Sequence, residues 1–382
     1  MRLPKNRFLA SLLFVPAALI LLLALGELYF RMVSPAPDVP ALAMRDGVLR
    51  HQPGQQGTYR DHEASAPFAI NAQGWNSGRA AYPQERPPRS CPALRIAVVG
   101  GALAEALEVP PQASLAEDLE RELAAQPCGI EVFRYGMDGA PLSQHLLMAR
   151  RAVLPARPDI LVVLLAPEDI AASHQPGGGA LAAHFQKLRL DAEDTVEELP
   201  PLPYAPTFSE RLRQASALVR HLTGPEGLRP ALAQRLLRRP RPDRRFEAAA
   251  TAAAEPATAR EEREALDRRA ARYLFGQLKA EASEAGARLL VVMDGARAEL
   301  ESGAAGTELE RALEQNRLAA AEAELLGVAF LDLHQAFAED LRWHKKPFGS
   351  GDGQWNAYGH AVAASAVAEK LSALGWLNGP SR

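Results

Sequence analysis

Few residues of this chain are typed and spaced for chemistry. The densest set is Asp352, Gln354, Trp355, Asn356, Gly359 and His360, in DGQWNAYGH. A second is the acidic pair Glu168 and Asp169, in APED directly after the apolar run ILVVLL. A third is Gly100-Gly101-Ala102, directly after LRIAVV. Two carboxylates such as Glu168 and Asp352, if brought together, activate water as a general base or acid. Other chemistries are poorly provided for. The nine histidines show no metal-ligand spacing and two cysteines cannot build a zinc ribbon, so no metal site is expected. Gly100-Gly101 does not extend to a Gly-x-Gly-x-x-Gly fingerprint, so no dinucleotide site or other cofactor is expected. A net charge of -3 argues against nucleic acid as a partner, because neutralising phosphates needs a basic surface.

The elements that must position these residues alternate. Leu94 to Val99, Ile130 to Phe133, Ile160 to Leu165, Arg288 to Met293 and Val328 to Leu333 are short apolar runs that read as strands. Between and after them, helical patterns run over Leu115 to Leu123, Pro141 to Val153, Leu266 to Ala285, Leu309 to Leu326 and Gly359 to Leu374. Strands alternating with helices predict a parallel sheet covered on both faces, with its ligand site beyond the carboxyl ends of the strands. The fold class expected is therefore α/β, a doubly wound parallel five-stranded sheet. A long insertion, 172–256, interrupts it, with Gly177-Gly178-Gly179, a proline cluster at Pro200 to Pro206, a helix over Ser209 to Leu222 and a basic run from Arg235 to Arg245. The basic run reads as a solvated loop, or more sharply as a contact for lipid headgroups or an acidic polymer.

The first thirty residues stand apart from that globule. Phe8 to Gly26 carries no charge and is about the length that crosses a bilayer. Arg2, Lys5 and Arg7 precede it, which by the positive-inside rule keeps the N-terminus in the cytoplasm. No convincing small-residue cleavage site follows, so an uncleaved signal-anchor, one N-terminal transmembrane helix, is expected. Glu27 and Arg31 are spaced to pair on its surface. The organisation expected is 1–32 cytoplasmic N-terminus and anchor, 33–90 irregular exported linker, 91–171 and 257–382 the two parts of the α/β domain, and 172–256 the insertion.

In order along the chain, these motifs resemble the SGNH (GDSL-type) hydrolases, whose fold is flavodoxin-like, and in particular their membrane-tethered bacterial members. INAQGWNSGR (Ile70 to Arg79) is similar to the Asn-x-x-Gly-Trp/Phe segment of tethered members. In the first block Gly100 matches, whereas Gly101 stands where the family has Asp and Ala102 where it has the nucleophilic Ser. RYGMDG keeps Gly136 and Gly139 of the second block. In APED, Glu168 replaces the third-block Asn and Asp169 is kept. DGQWNAYGH resembles the last block in Asp352, Trp355, Asn356, Gly359 and His360, but Gln354 replaces the catalytic His.

The resemblance implies a Ser nucleophile, a His base oriented by an Asp, and an oxyanion site that includes the block-three Asn. Ala102 offers only a methyl group. Gln354 moves no proton near neutral pH. An ionised Glu168 accepts hydrogen bonds and repels a developing oxyanion. The degenerate positions Gly101, Ala102, Gly139, Glu168, Asp352 and Gln354 are thus expected to converge without being catalytic. His360 is expected to pack or cap near the last helix rather than serve as a relocated base, and His334 to sit in a loop or at a strand end. Cys91 and Cys128 each precede one of the first two strands, which should be neighbours, so a disulfide is expected in an oxidising compartment.

The leading expectation is a pseudoenzyme: an inner-membrane, single-pass protein whose periplasmic domain binds or scaffolds in the cell envelope. Its partners would be an envelope protein complex or a polysaccharide undergoing export or O-acylation. An active esterase or O-acyltransferase-type enzyme using Glu168 and Asp352 is the alternative, and a purely structural membrane-complex subunit the third.

Overall fold

A computed structural model of the chain describes residues 5–60, 64–85, 93–126, 128–175, 181–191, 195–223, 257–346, 348–349 and 354–377. Its centre is a five-stranded sheet built from β5 (Leu94–Gly100), β6 (Ile130–Gly136), β7 (Ile160–Leu165), β10 (Arg288–Met293) and β11 (Ala329–Asp332). The spatial order is β11-β10-β7-β5-β6 and every pairing is parallel. Four of the five strands are buried along almost their whole length, as a sheet covered twice requires.

Successive side chains of a strand point to opposite faces, and the two cores divide accordingly. Ala97, Val99, Leu161, Val163, Val291 and Met293 face one way, against α3 (Leu142–Met148), α6 (Ala257–Glu284) and α7 (Glu314–Leu325). Ile96, Val98, Ile160, Val162, Leu290 and Val292 face the other way, against α2 (Leu115–Glu122), α8 (Leu333–His344) and α9 (Ala357–Ala373). In α6 the buried positions Ala270, Ala271, Leu274 and Leu278 recur at helical spacing, so one stripe of a long polar helix seals the sheet.

The segment 33–90 is not an irregular linker. It forms two antiparallel hairpins, β1–β2 (Leu42–Arg45 and Val48–His51) and β3–β4 (Gln56–Arg60 and Ser65–Ala69). Val48, Leu49, Trp75 and Tyr82 are buried in the core on the α3/α6 side. Trp75 meets Tyr135 edge-on at 5.5 Å and Tyr82 stacks on Phe133 at 4.6 Å, so this segment covers the outer edge strand β6. Its high content of turn residues concealed the hairpins, whose strands have only four or five residues each. Gly74 is held at φ 91°, where a Cβ would fall 2.4 Å from the His51 carbonyl oxygen.

The insertion also contributes structure. A hairpin, β8–β9 (Lys187–Leu190 and Val196–Leu199), places Leu188 in the core, and Phe185 just before it is buried too. The expected single helix over Ser209 to Leu222 is broken at Ser216 into α4 (Phe208–Ala215) and α5 (Ala217–Thr223). Gly177-Gly178-Gly179 and the basic run Arg235 to Arg245 lie outside the described residues. So does Cys91, and with it the expected Cys91–Cys128 bond; Cys128 stands in the turn before β6. His334 is neither loop nor strand end but the second residue of α8, whose N-cap Asp332 accepts the His334 amide at 2.9 Å.

Among the described residues one helix, α1 (Lys5–Met32), is long and apolar enough to cross a membrane. Its candidate span is Phe14–Met32, with mean hydropathy 1.7 and none of it buried against the rest of the chain.

Tightest of the close approaches is at the end of β6. A Cβ on Gly136 would lie 2.0 Å from the Glu105 amide nitrogen and 2.4 Å from the Ala104 carbonyl carbon. Both obstacles are backbone and cannot rotate away. Gly136→Ala is therefore expected to cost about 3 kcal/mol or more, read as a lowered midpoint in denaturant unfolding of the detergent-solubilised protein. A variant as stable as the parent would contradict the packing described.

Candidate functional site

Because all five strands run in parallel, their carboxyl ends form one edge, and the polar residues gather there. β5 ends at Gly100; Gly101 then caps a single turn, Ala102–Glu105, closed by Ala106 in the left-handed region at φ 50°. The amides of Ala104 and Glu105 both donate to the Gly101 carbonyl, which makes a sharp strand-to-helix corner. Ala102, half-buried, begins the turn, and its methyl group is all it can offer a ligand. A Cβ on Gly101 would lie 3.6 Å from the Ala140 carbonyl oxygen and 4.0 Å from His145 Nε2, so the loop after β6 borders the corner. Gly139 belongs to that loop, in the left-handed region at φ 71° and close to the Phe185 ring.

Glu105 locks the corner in place. It is buried, pairs with His51 Nε2 from the end of β2, and accepts the Asp138 amide at 2.8 Å. A buried carboxylate is costly unless its lone pairs are satisfied, and here two distant chain segments satisfy it, one at each oxygen. Asn76 Nδ2 donates to the Glu105 and Ala106 carbonyls at 2.9 and 3.1 Å, and Arg134 Nη1 to the Glu105 carbonyl at 3.0 Å. The Asn71 side chain in turn accepts the amides of Gln73 and Trp75, each at 3.0 Å, which shapes the segment that delivers Asn76.

Beyond β7, Glu168 is exposed at the N-cap of a short turn, and Asp169 follows it, buried. Asp169 Oδ2 accepts the Ala166 amide at 2.8 Å. Burial holds its pKa well above the ordinary carboxylate range, and the negative charges of Glu168, Asp138 and Asp294 push it the same way. Asp294, directly after β10, is satisfied differently. It grips Arg297 through both oxygens at 2.9–3.2 Å, and accepts the Gly295 amide at 2.8 Å and Trp355 Nε1 at 3.0 Å.

That last bond fixes Trp355. Trp355 is buried beside Phe337, and Asn356 caps α9 by accepting the Gly359 amide at 2.9 Å. A Cβ on Gly349 would lie 2.8 Å from Arg297 Nη1 and 3.2 Å from the Gln354 carbonyl oxygen, so half-buried Gln354 stands near the Asp294–Arg297 pair. Asp352 lies outside the described residues. His360 is buried with Nδ1 accepting the Leu115 amide at 3.2 Å, so it caps the start of α2 rather than facing the edge.

Gly101, Ala102, Gly139 and Glu168 therefore sit just past the carboxyl ends of three adjacent strands, and Gln354 beside the residues that end the fourth. Asp138, Asp294, Arg297, His51 and Glu105 were not singled out from sequence. Asp294 carried one usable signal, an acid followed by Gly straight after an apolar strand. The partnership of His51 and Glu105, 54 residues apart, carried none.

Comparison with known proteins bears on the same part of the chain. The model of the family described as "SGNH hydrolase-like domain, acetyltransferase AlgX" matches residues 253–381, which include β10, β11, Trp355 and α9. The chain carries an SGNH hydrolase-like domain. Similar solved structures include LAE5, an α/β hydrolase enzyme from the metagenome of Lake Arreo, Spain, at 12% identity and TM-score 0.42, over 75% of this chain and 97% of that one. The lipase/acylhydrolase from Enterococcus faecalis is 13% identical, with TM-score 0.38, over 74% of this chain and 96% of that one. TesA is 12% identical, with TM-score 0.38, over 73% and 99%. No curated protein matched the sequence. Among the described residues of this SGNH-like domain no group of three or more His, Cys, Asp or Glu is arranged to hold a metal ion.

His360 supplies a pH test of the SGNH-like site's scaffold. Burial, with the nearby positive Arg134 and Arg297, lowers its pKa from 6.5 to about 3. The neutral ring stabilises the fold fully above pH 6.5, and that contribution is lost as pH falls toward 3. His360→Asn keeps an acceptor for Leu115 but cannot titrate. The wild type should lose a few kcal/mol relative to this variant between pH 6.5 and 3, at about 1.4 kcal/mol per pH unit at most, as measured by unfolding across that range. Parallel pH profiles would refute the assignment.

Proposed function

We propose that the protein is a membrane-anchored, catalytically inactive SGNH-like domain that binds or scaffolds in the cell envelope. The observation that carries this is the chemistry of the edge: Ala102 begins the corner where the resemblance calls for a nucleophile, and Asp138, Glu168, Asp169 and Asp294 interact electrostatically around it. Acyl transfer develops negative charge on an oxygen, and such an edge opposes it. With nucleophile and base both replaced, triad chemistry loses on the order of a million-fold, and Glu168 opposes the oxyanion stabilisation that would otherwise remain.

Binding is favoured over pure packing because Gly101, Ala102 and Gln354 are half-buried rather than sealed, and Glu168 is exposed. A neutral or cationic polar ligand suits that surface better than an anionic one. The matched family's description includes an acetyltransferase, and its likeness to this chain suggests polysaccharide O-acylation or export as the context. The purified protein is expected to hydrolyse acyl esters no faster than an unrelated protein and to resist labelling by a fluorophosphonate. Robust esterase activity that disappears in Glu168→Gln or Asp352→Ala would establish instead an enzyme built on those carboxylates.

The placement that goes with this function is a cytoplasmic N-terminus, one crossing of the inner membrane by α1, and a periplasmic domain. Arg2, Lys5 and Arg7 support that orientation. An oxidising periplasm would also permit the Cys91–Cys128 bond. Alkaline phosphatase fused after Arg31 should be active and β-galactosidase fused there inactive; the reverse pattern would overturn the topology.

A further inference from the structure

The end of α1 is clamped to the insertion by an ion pair. Glu27 and Arg31 meet at 2.6 Å, and together they bracket the break between α4 and α5. Glu27 accepts Ser216 Oγ at 2.7 Å and the Ala217 and Leu218 amides at 3.0 Å each, while Arg31 donates to the Ala215 carbonyl at 2.8 Å. The carboxylate thus faces the start of one helix and the guanidinium the end of the other, as the helix dipoles favour. Phe30 stacks on His221 at 3.9 Å, and a Cβ on Gly26 would lie 3.4 Å from Leu218 Cδ2.

These contacts fix a depth. The uncharged run Phe8 to Gly26 spans about 28 Å as a helix, close to the thickness of a hydrocarbon core. Gly26, the last residue before the charged Glu27, therefore marks the edge of the hydrocarbon, the Glu27–Met32 end of the Phe14–Met32 span lies among the headgroups, and Leu218 against Gly26 holds α5 at that level. One residue joins α5 to α4, so α4 is held there too.

The surface of α4 is inverted relative to a helix on a soluble domain. Phe208 is 79% exposed and Leu212 41%, and with exposed Ala215 they form one stripe, whereas polar Glu210, Arg213 and Gln214 on the other side are half-buried. Arg211, also exposed, flanks the stripe. An apolar stripe flanked by a cation, parked beside a membrane helix at headgroup depth, fits a lipid interface.

We propose that α4 lies in the outer headgroup layer of the bilayer that α1 crosses, with Phe208 and Leu212 inserted, so that anchor and insertion together fix the orientation of the domain over the membrane. The inference rests on α1 spanning the bilayer, and goes beyond the functional reading in assigning the insertion a lipid partner.

Its test uses the full chain in nanodiscs, with Phe208→Trp and, as an exposed position off the stripe, Ser209→Trp. The emission each adds to the parent's is followed with lipids brominated near the headgroup. The tryptophan at 208 should be blue-shifted and quenched at least about three-fold more strongly than that at 209. Equal weak quenching with water-exposed emission would overturn the proposal. Blue-shifted emission that brominated lipid leaves unquenched would also overturn it, by showing that a protein surface, such as a second copy, covers the stripe. Failure of the anchor itself is read separately: the protein would then leave native membranes in alkaline carbonate.

Discussion

A parallel sheet buried on both faces confines its polar chemistry to the two rims where strands end. In this chain the constraint is severe, because β5, β7 and β10 are buried along almost their whole length and sit at the centre of the order β11-β10-β7-β5-β6. Residues that follow these strands by one to four positions are thereby brought together although the chain separates them by up to two hundred residues. The ion pairs, caps and close glycine approaches at the carboxyl edge all depend on that arrangement. Gly136 illustrates the dependence: β6 can lie in register with β5 only if nothing projects from its last residue into the Ala102–Glu105 turn.

The strands and most helices were legible in sequence for the same reason. Continuous β-branched runs and helical periodicity are local signals, and Ile160–Leu165 and Arg288–Met293 have the bounds read from them. What escaped were features whose stability is non-local. The hairpins of 33–90 are too short to announce themselves and persist because Leu49, Trp75 and Tyr82 find a core supplied by β6 and α3. The break at Ser216 depends on Glu27, nearly two hundred residues away. In the candidate site, the positions around Ala102, Glu168 and Gln354 were legible as motifs, whereas the buried Glu105–His51 pair and the Asp294–Arg297–Trp355 group became visible only in three dimensions.

The electrostatics of the edge distinguish its two halves. On the β10 side, Asp294 is neutralised by Arg297 and satisfied by Trp355, so its charge is spent on structure. On the β7 side, Asp169 meets no such cation among the described residues, and its carboxyl is held toward the neutral form by burial and by the negative neighbours themselves. Glu168 and Asp138 are the exposed carboxylates of the set. A hydrolase would place donors there.

The positions that match the SGNH pattern and those that depart from it divide along a physical line. Trp75, Gly136, Trp355, Asn356 and His360 match, and each has a structural task that owes nothing to substrate: filling the core, permitting a close approach, satisfying Asp294, capping α9, capping α2. Ala102, Glu168 and Gln354 depart, and in the pattern these are the positions that touch a reacting ester. Changes of the first kind would leave buried polar groups unpaired or force backbone apart, at about 1–3 kcal/mol each, a large share of a domain's stability of about 5–15 kcal/mol. Changes of the second kind cost the fold little, since a methyl at 102 and a carboxylate at an exposed 168 disturb no buried partner. Asp352, the position that orients the base in the pattern, is kept as well, so the departures fall on the nucleophile, the base and the oxyanion site rather than on the whole of the reacting set, and that distribution supports the reading proposed above.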